Sequence, residues 1–208
     1  MTKKLYLPPK HHVPILEDPI NFYYIPGFRW FFVKRLETVL SFVEGRNLGR
    51  VLDIGCGTGV LFPEFAKRSD LIVGIDTFLQ DYSIKGLCRL ENITAHVAWG
   101  SILDIPFKDE SFDNVICIST LEHIEDSEKA LKDINRLLRP GGKLLAGFPV
   151  QNMITNKLLG ESTEFHVANH KRILTAAEKV FGSFKAKCIP SWAPVDLSLY
   201  CAFEGVKT

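Results

Sequence analysis

A short apolar run, Val51-Leu52-Asp53-Ile54, opens into three alternating glycines, Gly55, Gly57 and Gly59, before the apolar pattern resumes at Val60. Such a segment reads as a buried strand, a tight loop and the start of a helix. Glycine suits the loop because the backbone can bend sharply and approach a ligand with no Cβ in between. Two common phosphate loops are excluded. A P-loop ends in Gly-Lys-Ser/Thr, absent here, and the dinucleotide fingerprint asks for glycine or alanine where Val60 stands. Asp76 closes the next apolar run, Leu71 to Ile75, nineteen residues after Gly57. A carboxylate there can accept both hydroxyl hydrogens of a ribose, and ligands of such sheets bind beyond the carboxyl ends of the strands.

Around this loop, strand and helix signals alternate. Strands are expected at Arg50–Ile54, Leu71–Ile75, Ile93–Ala98, Asn114–Ser119 and Lys143–Phe148. Helices are expected at Phe28–Glu44, Val60–Arg68, Gln80–Leu90, Ser127–Leu138 and Lys171–Phe181, with Pro63 tolerated in a first turn and Pro140-Gly141-Gly142 as a stop. Alternation of this kind implies right-handed βαβ units and a largely parallel sheet. The last two β-rich runs, Phe184–Ile189 and Leu197–Phe203, leave no room for a helix between them, so a hairpin puts one antiparallel strand into the sheet. The predicted fold is a doubly wound, Rossmann-like α/β sandwich. Residues 1–27, rich in proline and aromatics without periodicity, read as an N-terminal arm or cap, and 28–208 as one domain.

The 25 Lys+Arg and 24 Asp+Glu leave a net charge of +1, which argues against bulk nucleic acid as the partner. With 46% hydrophobic and 24% charged residues, disorder and fibrous repeats are poor readings. No apolar stretch reaches the roughly 18 residues of a spanning helix, and Pro8, Pro9, Lys10, His11, His12 and Pro14 fill the place of a signal-peptide apolar run. The five cysteines are scattered without a CxxC pair, so free thiols in a reducing, cytoplasmic setting are expected.

The ordered set Asp53-x-Gly55-x-Gly57-x-Gly59, Asp76, Gly100-Ser101-Ile102-Leu103-Asp104-Ile105-Pro106-Phe107, Ser111-Phe112-Asp113, Leu121-Glu122-His123 and Leu137-Leu138-Arg139-Pro140-Gly141-Gly142 resembles class I S-adenosylmethionine-dependent methyltransferases of the type 11 kind. The likeness covers about residues 48–150. It implies a seven-stranded, mostly parallel sheet with an antiparallel last strand, and S-adenosyl-L-methionine as cofactor. By resemblance, Gly55, Gly57 and Gly59 line the methionine moiety with Cys56 and Thr58 beside them, Asp53 orients it, and Asp76 holds the ribose. Thr77 or Phe78 lies against the adenine, and Ser101, Ile102 and Ser119 complete the cofactor site. Ser101 departs from the pattern, since the family commonly has an acid there to accept from the adenine amino group. A neutral hydroxyl makes a bond about half as strong.

Methyl transfer needs a base only when the acceptor is a weak nucleophile such as a hydroxyl. His123, just past the fourth strand, is the expected catalytic residue. His166 and His170 lie four apart, which on a helix puts them on one face toward the acceptor. With no third ligand at useful spacing, no metal is expected there. Tyr24, in the aromatic run Asn21 to Phe32, is a further expected acceptor contact, the run serving as pocket cap, membrane contact or helix packing. The fourth strand is not followed by Asn/Asp-Pro-Pro-Tyr, and no Pro-Cys nucleophile occurs, which disfavours base or glutamine amino groups and cytosine C5 by family analogy. A hydroxyl, carboxylate or amine on a small-molecule, sugar or lipid-linked acceptor is expected. The alternatives are a non-catalytic relative that binds cofactor or a partner and, disfavoured by Val60, a nicotinamide oxidoreductase.

Overall fold

The computed structural model describes residues 5–13, 20–159 and 166–208. Its centre is a seven-stranded sheet built from β1 (Gly49–Ile54), β2 (Ser69–Asp76), β3 (His96–Trp99), β4 (Phe112–Ile118), β5 (Leu138–Pro149), β6 (Lys185–Ile189) and β7 (Tyr200–Val206). The strand order is β3-β2-β1-β4-β5-β7-β6. Every pairing from β3 across to β5 is parallel. Strand β7 runs antiparallel to both β5 and β6, from Lys185↔Glu204 to Ile189↔Tyr200 on the β6 side, as the expected hairpin requires. The order of strands reverses between β1 and β4, and this switch point opens a crevice beyond their carboxyl ends.

Both faces of the sheet are covered by helices. These are α1 (Arg29–Leu40), α2 (Phe62–Ala66), α3 (Asp81–Glu91), α4 (Ser127–Leu137), α5 (Met153–Leu159) and α6 (His170–Phe181). Side chains of successive strand residues go to opposite faces. In β7, Cys201 and Phe203 join the apolar layer under α4 and α6, while Tyr200 and Ala202 join that of α1, α2 and α3. Burial on both faces is why these strands read as continuous apolar runs.

Several boundaries differ from expectation. Helix α2 shrinks to five residues with Pro63 in its first turn. Strand β3 starts at His96 because Asn92, in the left-handed region at φ 52°, caps α3 and uses the residues after it as an exit. Strand β5 begins immediately after α4, so Pro140-Gly141-Gly142 lies inside the long strand. Helix α5 was not legible in the sequence.

The chain before α1 is tied to the body. Tyr6 donates through its hydroxyl to Glu91 Oε2 (2.9 Å), and Tyr24 donates to the Pro8 carbonyl (2.7 Å). Val13 and Tyr23 are buried with α1, and Phe22 stacks on Phe32. Phe28 and Trp30 remain exposed.

Candidate active site

The end of β1 is held against β2: the Gly55 and Cys56 amides both donate to the Ile75 carbonyl, at 2.9 and 3.2 Å. The loop glycines then divide into two kinds. Gly55, at φ +74°, is required by packing, since a Cβ there would stand 2.2 Å from Thr120 Oγ1. Gly57, at φ +52°, faces open space, with no atom within 4 Å of where a Cβ would stand. Its bareness leaves the backbone approachable from the crevice. A Cβ on Gly59 would strike the Phe62 ring, so that glycine serves helix packing.

Asp76 ends β2 and fastens the loop. Its Oδ2 accepts from the Gly57 amide and its Oδ1 from the Phe78 amide, both at 2.8 Å. A carboxylate offers about four acceptor positions, so the two backbone donors orient Asp76 and leave lone pairs for a ligand.

A cleft of about 210 Å³ lies here. Of the residues expected in the cofactor site, Asp53, Gly55, Cys56, Gly57, Thr58, Asp76, Phe78 and Ser119 line it. Ile20, Tyr23, Arg35 and Gln80 also line it, and sequence reading did not single them out. Arg35 carried a signal nonetheless. It sits on α1 among the apolar positions Phe31, Phe32, Leu36 and Val39, a charge in a stripe that faces the core. Its guanidinium is buried, 4.3 Å from the Phe32 ring centroid and 5.3 Å from that of Tyr200.

Four buried polar atoms of residues on this cleft, Arg35 Nε, Thr58 Oγ1, Gln80 Oε1 and Ser119 Oγ, have no hydrogen-bond partner among the described residues. Buried polar atoms are nearly always paired, so four around one small cleft mark a surface made to receive a polar ligand. Burial, and secondarily the charge of Asp76, pushes the Asp53 carboxyl up to about 8. A larger cavity of about 690 Å³ lies instead near the amino ends of β1 and β2, among Lys34, Glu44, Arg46 and Lys67. It contains none of the loop glycines.

The remaining expected residues sit elsewhere. The Thr77 carbonyl accepts from Trp99 Nε1 at 3.0 Å. Ser101 Oγ accepts from the Leu103 amide at 3.2 Å, and Ile102 is core beneath α4. Tyr24 is not on the cleft wall; its neighbour Tyr23 is.

The shared helical face of His166 and His170 is not formed. Asn169 caps α6, its side chain accepting from the Arg172 amide, so the helix begins at His170 and His166 precedes it in irregular chain. The two rings diverge. His170 Nε2 pairs with Asp196 Oδ1 at 2.7 Å. His166 stands edge-on to His123, with centroids 5.0 Å apart, because the Val167 and Ala168 amides both donate to the Glu122 carbonyl at 2.9 and 3.0 Å. Burial, with His123 second, lowers the His166 ring to about 4. Glu122 is 2% exposed, and burial raises its carboxyl to about 8.

Residues 52–146 match a family model described as a methyltransferase domain. This segment is a methyltransferase domain. Its relatives include O-methyltransferase rstn1 of Aspergillus nomiae, 36% identical over 109 residues, with 50% of this chain and 47% of the relative aligned. Another is a ubiquinone biosynthesis O-methyltransferase of Paracidovorax citrulli, 33% identical over 106 residues, covering 50% and 43%. The chain thus spans about half the length of the curated relatives it matches. The likeness in fold extends further than the likeness in sequence. The PH0226 protein of Pyrococcus horikoshii superposes with TM-score 0.69 at 17% identity, over 92% of this chain and 100% of that one. Phosphoethanolamine N-methyltransferase 2 of Haemonchus contortus, solved with S-adenosyl-L-methionine, gives 0.64 at 19% identity, over 84% and 52%. Among the described residues no helix is long and apolar enough to cross a membrane.

Proposed function

We propose that the chain is an S-adenosyl-L-methionine-dependent methyltransferase that modifies a hydroxyl, carboxylate or amine of a small or lipid-linked acceptor. One observation carries this reading. A bare Gly57 backbone, an oriented Asp76 with spare lone pairs and four unpartnered buried polar atoms meet on one cleft of a methyltransferase domain. Asp76 would hold the ribose diol. Asp53 and Arg35, of opposite charge type on the same cleft, suit the ammonium and carboxylate of an amino-acid tail, and Phe78, 86% exposed, is available to lie against the adenine. The residual capacity of Ser101 Oγ suits a weak contact to the adenine amino group. The cofactor supplies an electrophilic methyl on sulfur, so the protein's work is chiefly proximity and alignment.

His123 is the proposed base for a hydroxyl acceptor, its ring exposed at the end of β4. His166, beside it, is a proposed acceptor contact; His170, directed to Asp196, and Tyr24, directed to Pro8, support the acceptor region from a distance. Of the arm 1–27, residues 5–13 and 20–27 lie within the described residues and are proposed as a cap on the domain 28–208, a reading supported by Ile20 and Tyr23 on the cleft wall. Five free thiols accord with a cytoplasmic setting.

Thermal unfolding with S-adenosylhomocysteine and, separately, with NADH tests the reading, since a ligand of the native state raises Tm. The expected result is a rise with the first and none with the second; the reverse would make the chain a nicotinamide protein. Transfer of labelled methyl to a component of a cell extract distinguishes an enzyme from a binding relative.

A further inference from the structure

His170, four residues after His166, is turned away by the fold to Asp196. The fold brings two residues more than forty positions upstream instead. Glu122, His123 and His166 each present a donor atom, and the three atoms lie within 4.8 Å of one another. Ligands bound tetrahedrally to zinc at about 2.0–2.2 Å lie about 3.3–3.6 Å apart, so a closure of rings and carboxylate by about 1 Å brings all three onto one ion.

In two of the donor residues a buried polar atom lacks a partner. Glu122 Oε2 and His166 Nδ1 are buried with no hydrogen-bond partner among the described residues. Among those residues, Glu122 has no ion-pair partner within 4.0 Å. The backbone holds the arrangement in place: the paired amides of Val167 and Ala168 on the Glu122 carbonyl fix the loop that carries His166 against the turn that carries Glu122 and His123. A buried carboxylate oxygen and a buried ring nitrogen, each without a partner and tied together by the main chain, are costly unless something lies between them.

We propose that Glu122, His123 and His166 bind a divalent transition-metal ion of the zinc class. Two imidazoles with one carboxylate suit zinc, iron, cobalt or nickel, whereas magnesium and calcium prefer all-oxygen sites. Three protein ligands leave coordination positions open; a His123 ring whose lone pair lies on the ion cannot also serve as base, so in the metal-bound protein activation of a hydroxyl acceptor would fall to the ion. Ile118 and Ser119, on the cleft wall, immediately precede the turn that carries two of the ligands. An open position therefore takes an oxygen or nitrogen donor of the acceptor, a clause that rests on the methyltransferase reading; the metal site itself does not.

The test uses the full chain stripped of metal, titrated with CoCl2 and followed by visible ligand-field absorption. One equivalent should saturate the signal. ZnCl2 should displace it and MgCl2 should not. His166→Ala and Glu122→Gln should each weaken cobalt binding by about 100-fold or more, since even outer-sphere changes at such sites cost about 10–100-fold. His123→Ala, at an exposed ring, should do the same in a protein whose far-ultraviolet circular dichroism is unchanged, which keeps the test valid if the Glu122 variant fails to fold. No stoichiometric cobalt spectrum, or a spectrum equal to that of the wild type in the His123 and His166 variants, overturns the site. A sulfur-to-cobalt charge-transfer band does so too, by assigning the ion to the cysteines. The S-adenosylhomocysteine shift is read separately, so failure of the metal site and failure of the methyltransferase reading are distinct results.

Discussion

The crevice has two walls made in different ways. The β1–β2 wall comes from one stretch, residues 53–78, whose parts are fastened by short-range bonds such as Gly57 and Phe78 amides on Asp76. The opposite side is assembled from segments far apart in the chain. Arg35 comes from α1, Ser119 follows β4, and His123 meets His166 only because two amides dock on Glu122. The first wall is an element of local backbone geometry; the second is a product of packing. Substitutions in the first should damage folding and cofactor binding together. Those in the second should separate them.

The largest effect is expected at Gly55. Alanine there combines a left-handed backbone with a Cβ 2.2 Å from Thr120 Oγ1. The two penalties, each about 1–3 kcal/mol, should lower unfolding free energy in urea by about 3–5 kcal/mol. Gly57→Ala, facing open space, should lose only the backbone part while impairing cofactor binding. Equal stability losses at the two positions would erase the distinction between packing and approach glycines. Next in size, His123→Ala should reduce methyl transfer to a hydroxyl acceptor by about 10²-fold or more if it acts as base, with cofactor affinity unchanged in calorimetry.

Asp76→Ala should weaken S-adenosylhomocysteine binding by about 1.5–3 kcal/mol, the loss of hydrogen bonds to a charged group, and should also loosen the loop that it fastens. Arg35→Met should weaken binding to a similar degree with little loss of stability, because a well-packed apolar chain often replaces a buried charge without cost. An Arg35 variant that binds normally would leave the packed wall without a role in the cofactor site.

The last comparison concerns pH. The Asp53 carboxyl, raised to about 8 in the folded chain from its ordinary 3.8, keeps a proton that the unfolded chain has already lost. Its contribution to stability therefore declines as pH rises from about 4 through 8. Asp53→Asn should flatten that part of the stability–pH curve. A ligand ammonium beside Asp53 should also expel its proton at neutral pH, visible as a binding enthalpy that changes with buffer ionisation heat. A curve identical in the wild type and the Asn variant would show that Asp53 is ionised throughout.

Much of the fold was legible because apolar alternation and helical spacing are written along the chain. The alternation of strands and helices, the switch at the glycine loop and the antiparallel β7 all follow from it. Boundaries moved where a single residue intervened, as when Asn169 started α6 late and separated His166 from His170. The spacing of four residues has one meaning on a helix and another before it. Arg35 was visible as a charge in an apolar stripe, but its destination depended on how α1 crosses the sheet.

The sequence by itself determined the bend at Gly55 to Gly59 and the carboxylate behind it, because φ angles and strand-end positions are local properties of neighbouring residues. Only the tertiary structure decided that Arg35 shares a cleft with Asp53, and that Glu122, His123 and His166 converge. Those meetings depend on strand register, helix crossing and a cap at Asn169, which act between segments that have no periodic relation along the chain.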